Sequence, residues 1–202
     1  MRPLIFIIVL AAFASTVLAQ AAKPDLRNEL LAMRKVDQEE RVKCAAGDIE
    51  FQKACLEKLA ETVDGPNTKR IEEIFARFGF PDTQMVGKEG LEAFMLLLQH
   101  SPSDRLREQA EKPITRAFKR KELPPQEYAN FIDRLRLHQG KPQIYGSGFE
   151  TKDGKLVLSR TRDPKNLDKR RKKIGLPPMS EYIKILKEFY KLEVELPPGI
   201  KV

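Results

Sequence analysis

Eight consecutive residues, Leu91 to Leu98, carry a single charge (Glu92) and include Phe94, Met95, Leu96 and Leu97, so that a helix formed there is apolar almost all round. Such a helix cannot lie on a surface. Other elements must enclose it, and the fold has to be one in which several amphipathic helices surround a central one. The rest of the sequence supplies them. Leu26, Leu30, Met33, Asp37 and Cys44 fall on one face of a helix expected over residues 25–45. Phe51, Cys55 and Leu59 mark a second, and Asp64-Gly65-Pro66-Asn67 reads as a turn before Ile71, Ile74, Phe75 and Phe78 repeat the helical spacing up to Gly79 and Pro81.

Further along, Leu106, Ala110, Ile114 and Phe118 predict a helix that Pro113 should kink or divide. Pro124-Pro125 opens another, with Tyr128, Phe131, Ile132 and Leu135 in one stripe and Gly140 and Pro142 closing it. The period then changes. Ile144, Tyr145 and Phe149 before Asp153-Gly154, and Leu156, Val157 and Leu158 after it, predict a β-hairpin over 143–158. Asp163-Pro164 reads as a cap and first turn. A final helix carries Met179, Tyr182, Ile183, Leu186, Phe189 and Tyr190 inward.

At the N-terminus, Met1-Arg2 precede an apolar run from Leu4 to Leu18 that ends in small residues at Ala19, the pattern of a secretory signal cleaved before Gln20. The run is shorter than the roughly 20 residues a membrane-spanning helix needs. The expected fold class is therefore mainly α: a signal peptide at 1–19, one multi-helix domain over 20–192 with one short hairpin, and a loose tail at 193–202. The expected location is secreted, periplasmic or extracellular, with no stable membrane insertion after cleavage. The formal charge of +8 favours anionic ligands or surfaces, and also simply keeps a chain in solution. Oligomeric state is not readable from the sequence.

Export would let Cys44 and Cys55 pair. On one continuous helix, eleven residues would hold them roughly 16 Å apart, beyond disulfide reach. A break at Ala46-Gly47-Asp48 between two antiparallel helices removes that obstacle, and a disulfide is expected in preference to two buried thiols.

Charged side chains on faces that should be apolar are the informative polar residues. With Leu30 at zero on an ideal helix, Asp37 falls at about 340° and Arg41 at about 20°. With Leu167 at zero, Arg170, Arg171 and Ile174 fall at about 300°, 40° and 340°. Ions withdrawn from water need partners. Asp37 can meet Arg41 one turn away, Arg170 or Arg171 can reach the same carboxylate, and Gln99 and His100 at the end of the enclosed helix are further members.

Three readings follow. The cluster is an internal network that fixes helix register; or its arginines bind a small anionic ligand; or it is the centre of a hydrolase-type enzyme, with His100 as general acid or base, Asp37 orienting it and the arginines holding an anionic substrate. Asp133 and Arg134 point away from the Tyr128 stripe and read as surface charges unless the hairpin folds over them, and His138 reads as a helix-end histidine. Two histidines without a zinc spacing give no expectation of a metal, and no cofactor is expected. Six basic residues between Lys165 and Lys173 lack interleaved aromatics, so nucleic acid is not the expected partner.

Several stretches recur together here: Asp37-Gln38 with Arg41; Phe80-Pro81; Val86-Gly87; Leu97-Leu98-Gln99-His100; Asp133-Arg134; Gly140-Lys141-Pro142-Gln143 with Tyr145-Gly146; Asp163-Pro164; and Lys169-Arg170-Arg171 with Gly175-Leu176-Pro177-Pro178. By these, residues 28–190 resemble a bacterial family known only as a domain of unknown function, DUF6624. The resemblance implies a shared fold and a shared site, to which Gln143 and Tyr145 would belong as ligand-binding residues, but no reaction. The family's hairpin motif reads Tyr-Gly-Thr-Gln where this chain has Tyr145-Gly146-Ser147-Gly148, and tryptophan is usual where Phe80 stands.

Overall fold

A computed structural model describes residues 23–200. The expected signal segment lies outside them. The chain is mainly helical with a small sheet, and its order follows the hydrophobic periods closely. Helix α1 (Pro24–Ala45) starts on a proline that needs no amide partner in the first turn, and α2 (Ile49–Leu59) is capped by Asp48, whose carboxylate accepts the Phe51 amide at 2.9 Å. The reversal between them brings Cys44 and Cys55 to a Cα separation of 5.4 Å, and they are joined by a disulfide.

The expected turn at 64–67 does not form. Instead α2 runs through a π-helical segment, Ala60–Asp64, directly into α3 (Gly65–Phe78). Pro66 falls in the first turn after the π-helical segment, where the wider winding tolerates its missing N–H, so the residues that read as a turn continue the helix. Helix α4 (Thr83–His100) is interrupted once, at Gly87, whose φ of 71° lies in the region that favours glycine. Beyond it Leu91, Ala93, Phe94, Met95, Leu97 and Leu98 are buried, as an enclosed helix requires. They meet Leu26 and Leu30 of α1, Ile71 and Ile74 of α3, Leu106, Ala110 and Ile114 of α5 (Asp104–Lys119), and Phe131, Ile132 and Leu135 of α6 (Pro125–His138). Each of the larger side chains contributes about 1.5–3 kcal/mol by leaving water, which is what holds the layers together. Pro113 does not divide α5.

A second cluster forms beyond α6. Strands β1 (Phe149–Lys152) and β2 (Lys155–Leu158) make the expected antiparallel hairpin, with Phe149 opposite Leu158. A short 3₁₀ turn (Pro164–Asn166) leads into α7 (Leu167–Lys173), and α8 (Met179–Tyr190) follows. Leu158, Leu167, Met179 and Ile183 form the cluster's centre. Three expectations need correction. The tail is not wholly loose, because Glu193–Glu195 forms β3, which pairs parallel with β2 and sets Val194 beside Leu156. Asp163 takes a left-handed φ of 41° and makes no cap bond to the helix that follows. Finally, Phe189 and Tyr190 at the end of α8 are exposed rather than docked.

Candidate functional site

Five side chains from three segments converge where α1, the π-helical segment and the end of α4 meet. Asp37 is fully buried, and its two oxygens lie 2.9 and 3.0 Å from Nδ1 of His100. Gln38 donates to it at 2.8 Å, and Arg41 Nε stands 3.3 Å from both oxygens. Arg41 then turns Nη2 to Asp64 at 2.5 Å, so one guanidinium bridges two carboxylates. Arg41 Nε also lies 3.0 Å from His100 Nδ1. At most one proton fits between these two nitrogens. If Nδ1–H donates to Asp37, the Arg41 Nε–H must be directed to the carboxylate, and the arrangement closes with every buried donor used. His100 Nε2 then carries the lone pair, and it has no protein partner among the described residues. Its ring is 23% exposed.

Burial is the largest influence on the Asp37 carboxyl and acts to raise its pKa. It is outweighed by the hydrogen bonds from His100 and Gln38 and by the charges of His100 and Arg41, which together hold it below the usual aspartate value. Asp37 is therefore an anion at neutral pH. Asp37, Asp64 and His100 each offer a ligand atom within 4.8 Å of the others, a set that could hold a metal ion. The guanidinium of Arg41 already lies against both carboxylates, so a dication would compete with a resident cation for the same oxygens.

Asp64 owes its place to the π-helical segment. A π turn accommodates one more residue than an α turn, which changes the phase of everything after it; such segments cost stability and recur at functional positions. Reading 64–67 as a turn concealed this residue. One helical turn later the buried Thr68 donates its hydroxyl to the Asp64 carbonyl at 2.6 Å and accepts from the Ser101 hydroxyl at 2.9 Å, which ties the segment to the end of α4.

Arg170 and Arg171 point inward as their helical phase predicts, but they do not reach Asp37. Arg170 donates to the carbonyls of Ile144 (2.8 Å), Asp163 (3.1 Å) and Arg162. Arg171, fully buried, donates to those of Tyr145 (2.8 Å) and Pro177 (2.7 Å) and lies over the Tyr182 ring at 4.8 Å. Carbonyls in an irregular loop have no strand partner and need donors, so carbonyls compete for these guanidiniums as well as carboxylates do.

Gln143 and Tyr145 belong to the same arrangement. The buried Gln143 amide closes the loop on itself, donating to Gly148 and Ser159 carbonyls at 3.0 and 2.9 Å and accepting the Gly148 amide at 2.8 Å. Tyr145 is half-buried, and burial first, then Tyr128 and Asp133, pushes its phenol up to about 12, so it stays protonated.

The anion at the centre of this loop is Asp133. It is fully buried and accepts the amides of Ile144 (2.7 Å), Tyr145 (3.0 Å) and Ser147 (2.9 Å) and the Ser147 hydroxyl (2.9 Å). The hairpin does fold over α6, and a residue that reads as surface charge becomes the anchor of the loop. Ala129, one turn earlier on the same face and also buried, is the sequence signal that a second face of α6 is covered. Gly146 has φ 69°, a conformation that favours glycine, and a Cβ there would stand 2.6 Å from the terminal methyl of Met179, which would have to shift.

The profile of a family of unknown function, DUF6624, matches residues 24–195. The chain belongs to this family. Most of the polar motifs that carry the likeness to DUF6624 fall into the two constellations just described, one around Asp37 and His100 and one around Asp133 and the hairpin loop. No curated protein and no solved structure matches the chain.

Gln99 takes part in neither constellation through its side chain. Its carbonyl accepts from Arg134 Nη1 at 2.6 Å. It lines a cleft of about 530 Å³ between α6, the hairpin and α8, together with Arg134, His138, Ser147 and Tyr182. His100, the next residue on α4, does not line that cleft.

Proposed function

We propose that the Asp37–His100 pair is an acid–base centre of hydrolase type, with His100 Nε2 taking and returning the proton and Asp37 fixing the ring and balancing the imidazolium that forms. The observation that carries this reading is the pairing of His100 Nδ1 with both oxygens of a fully buried aspartate, while Nε2 is left without a protein partner on the open side. A carboxylate on Nδ1 stabilises the tautomer with a basic Nε2 and favours the protonated ring as a proton is transferred. Arg41 and Asp64 keep the pair in register. Arg170 and Arg171 donate to loop carbonyls away from this pair and take no part in it.

The reading extends to location. An apolar leader ending at Ala19 and the Cys44–Cys55 disulfide both support export, and no helix among the described residues is long and apolar enough to cross a membrane.

Two measurements test the centre. Long-range ¹⁵N spectra of the imidazole should show the Nδ1–H tautomer at neutral pH. Hydrolysis of a panel of p-nitrophenyl esters and phosphate esters should be lost in His100→Gln and reduced in Asp37→Asn, with both variants folded. An Nε2–H tautomer, or wild-type and His100→Gln rates that coincide across the panel, would overturn the proposal. In that case these side chains serve as an internal network, and their removal costs stability alone.

A further inference from the structure

We infer that the cleft between α6, the β1–β2 hairpin and α8 is a binding site for a small molecule with one anionic end, held by Arg134, and a planar or apolar body. The inference does not rest on what His100 does. With a volume of about 530 Å³ the cleft is of the size that takes a small organic ligand.

Arg134 stands in its wall with no carboxylate partner among the described residues. One nitrogen is held by the Gln99 carbonyl, and the others are free to clamp an anion. The residue is exposed, so its guanidinium can be reached from solvent through the cleft. Removal from bulk water, then the nearby Arg107 and Arg41, disfavour its charge. An anion placed there would offset the repulsion from the two neighbouring arginines.

His138 lines the same wall, with Arg107 behind it. Arg107 is buried, bonded to the Ser101 carbonyl and to Asp104 at 2.6 Å. His138, beside them, has its pKa lowered by burial and by Arg107, so at neutral pH it is an uncharged hydrogen-bonding group on the rim. Asn130 gives its oxygen to Gln126 at 2.7 Å and leaves its amide nitrogen without a protein acceptor among the described residues. Asn130, Arg134 and His138, each one helical turn from the next, line the α6 wall of the cleft.

The remaining walls have a different character. Tyr182, Tyr190, Phe149 and Leu186 offer aromatic and aliphatic faces, and Glu150 on β1 places a negative charge on the strand side. A polyanion would meet Glu150, whereas a molecule with a single anionic end and an aromatic body would not. The site is also preorganised. Ser147 and Gly148, which line it, belong to the loop that Asp133, Gln143, Arg170 and Arg171 hold from both sides, so little ordering is left to do on binding.

Calorimetric titration of the full chain with phenyl phosphate, benzoate and inorganic phosphate tests this, the three arms separating phosphate from carboxylate and the anion from the ring. At least one aryl anion should bind saturably at millimolar concentration or below, more tightly than inorganic phosphate. Arg134→Gln should weaken it by at least about tenfold, the loss of a charge-assisted hydrogen bond. Arg134→Lys should fall between the two. Tyr190→Ala should weaken the aryl anion and leave inorganic phosphate unchanged, and His100→Gln should bind as the wild type does. Should Arg134→Gln fail to fold, Asn130→Leu, which removes a donor and narrows the cleft, must weaken binding instead. No binding by any of the three probes, equal binding by wild type and the folded Arg134 variants, or loss of binding in His100→Gln would each overturn the inference. The last would move the anion to the other centre.

Discussion

Replacement of Asp133 by alanine tests whether the hairpin loop is held by one buried anion. In the wild type this carboxylate satisfies three backbone amides and one hydroxyl. Without it the amides of Ile144, Tyr145 and Ser147 have no acceptor. Each unsatisfied buried donor costs about 1–3 kcal/mol, and water entering the vacated space returns part of that, so the expected loss is about 3–5 kcal/mol. That is a large share of the roughly 5–15 kcal/mol by which a domain is stable.

Asparagine separates the contributions. Its oxygen can replace Oδ1, which faces Ile144 and Tyr145, whereas its NH₂ would face the Ser147 amide, donor against donor. Asp133→Asn should therefore cost about 1–3 kcal/mol, close to one unmade bond. Urea unfolding followed by helical circular dichroism gives both numbers, provided the slope with denaturant is unchanged. If alanine costs less than about 1 kcal/mol, or asparagine costs as much as alanine, the loop is held by its apolar contacts and the anion is incidental.

Three further outcomes are expected. Removing the disulfide as Cys44→Ala/Cys55→Ala should cost roughly 3 kcal/mol on the chain-entropy estimate for so short a loop, and a reductant should lower the wild-type thermal midpoint to the variant's while leaving the variant unmoved. Arg41→Ala should cost about 3–5 kcal/mol by leaving two carboxylates against each other, and Asp64→Asn in that background should restore part of the loss, a coupling that a double-mutant cycle in urea measures.

Burial first, then Glu92, raises the Glu127 pKa above its ordinary value of 4.5. A raised acid binds its proton more tightly when folded, so its contribution is full below the unfolded value and is lost as pH rises through the folded one. Glu127→Gln should thus gain on the wild type between pH 4 and pH 7, as urea midpoints at the two values would show; an identical difference at both would count against it.

Much of the fold was legible because it rests on period. Leu91–Leu98 had to be enclosed, and it is; Cys44 and Cys55 needed a reversal between them, and it is there. The Asp37–Arg41–His100 contact was readable for the same reason, since helical phase and the end of the enclosed helix point to one place. Phase fixes which way a side chain faces, not what it meets there. Arg170 and Arg171 face inward as read, yet their partners are carbonyls of a loop whose course no period records. Asp133 was misread for the complementary reason. Its helix has a clear apolar stripe, and nothing in that stripe reveals that a loop covers the opposite face. Asp64 was lost to a local rule: Asp-Gly-Pro-Asn favours a turn in isolation, and tertiary packing overrode it.

The π-helical segment between Leu59 and Gly65 has a consequence for how this chain can vary. Dropping one residue there would let the backbone close into a regular α ladder, at the cost of rotating one flank by about 100° against the other. Neither flank can turn: one is tethered through Cys55 and the other is wedged into the interior by Ile71 and Ile74. A change of length would therefore be absorbed by the surplus residue itself, and Asp64 would swing out of reach of Arg41. Insertions and deletions are ordinarily filtered least at loops; in this chain a stretch in mid-helix should keep its length even where its residue types drift.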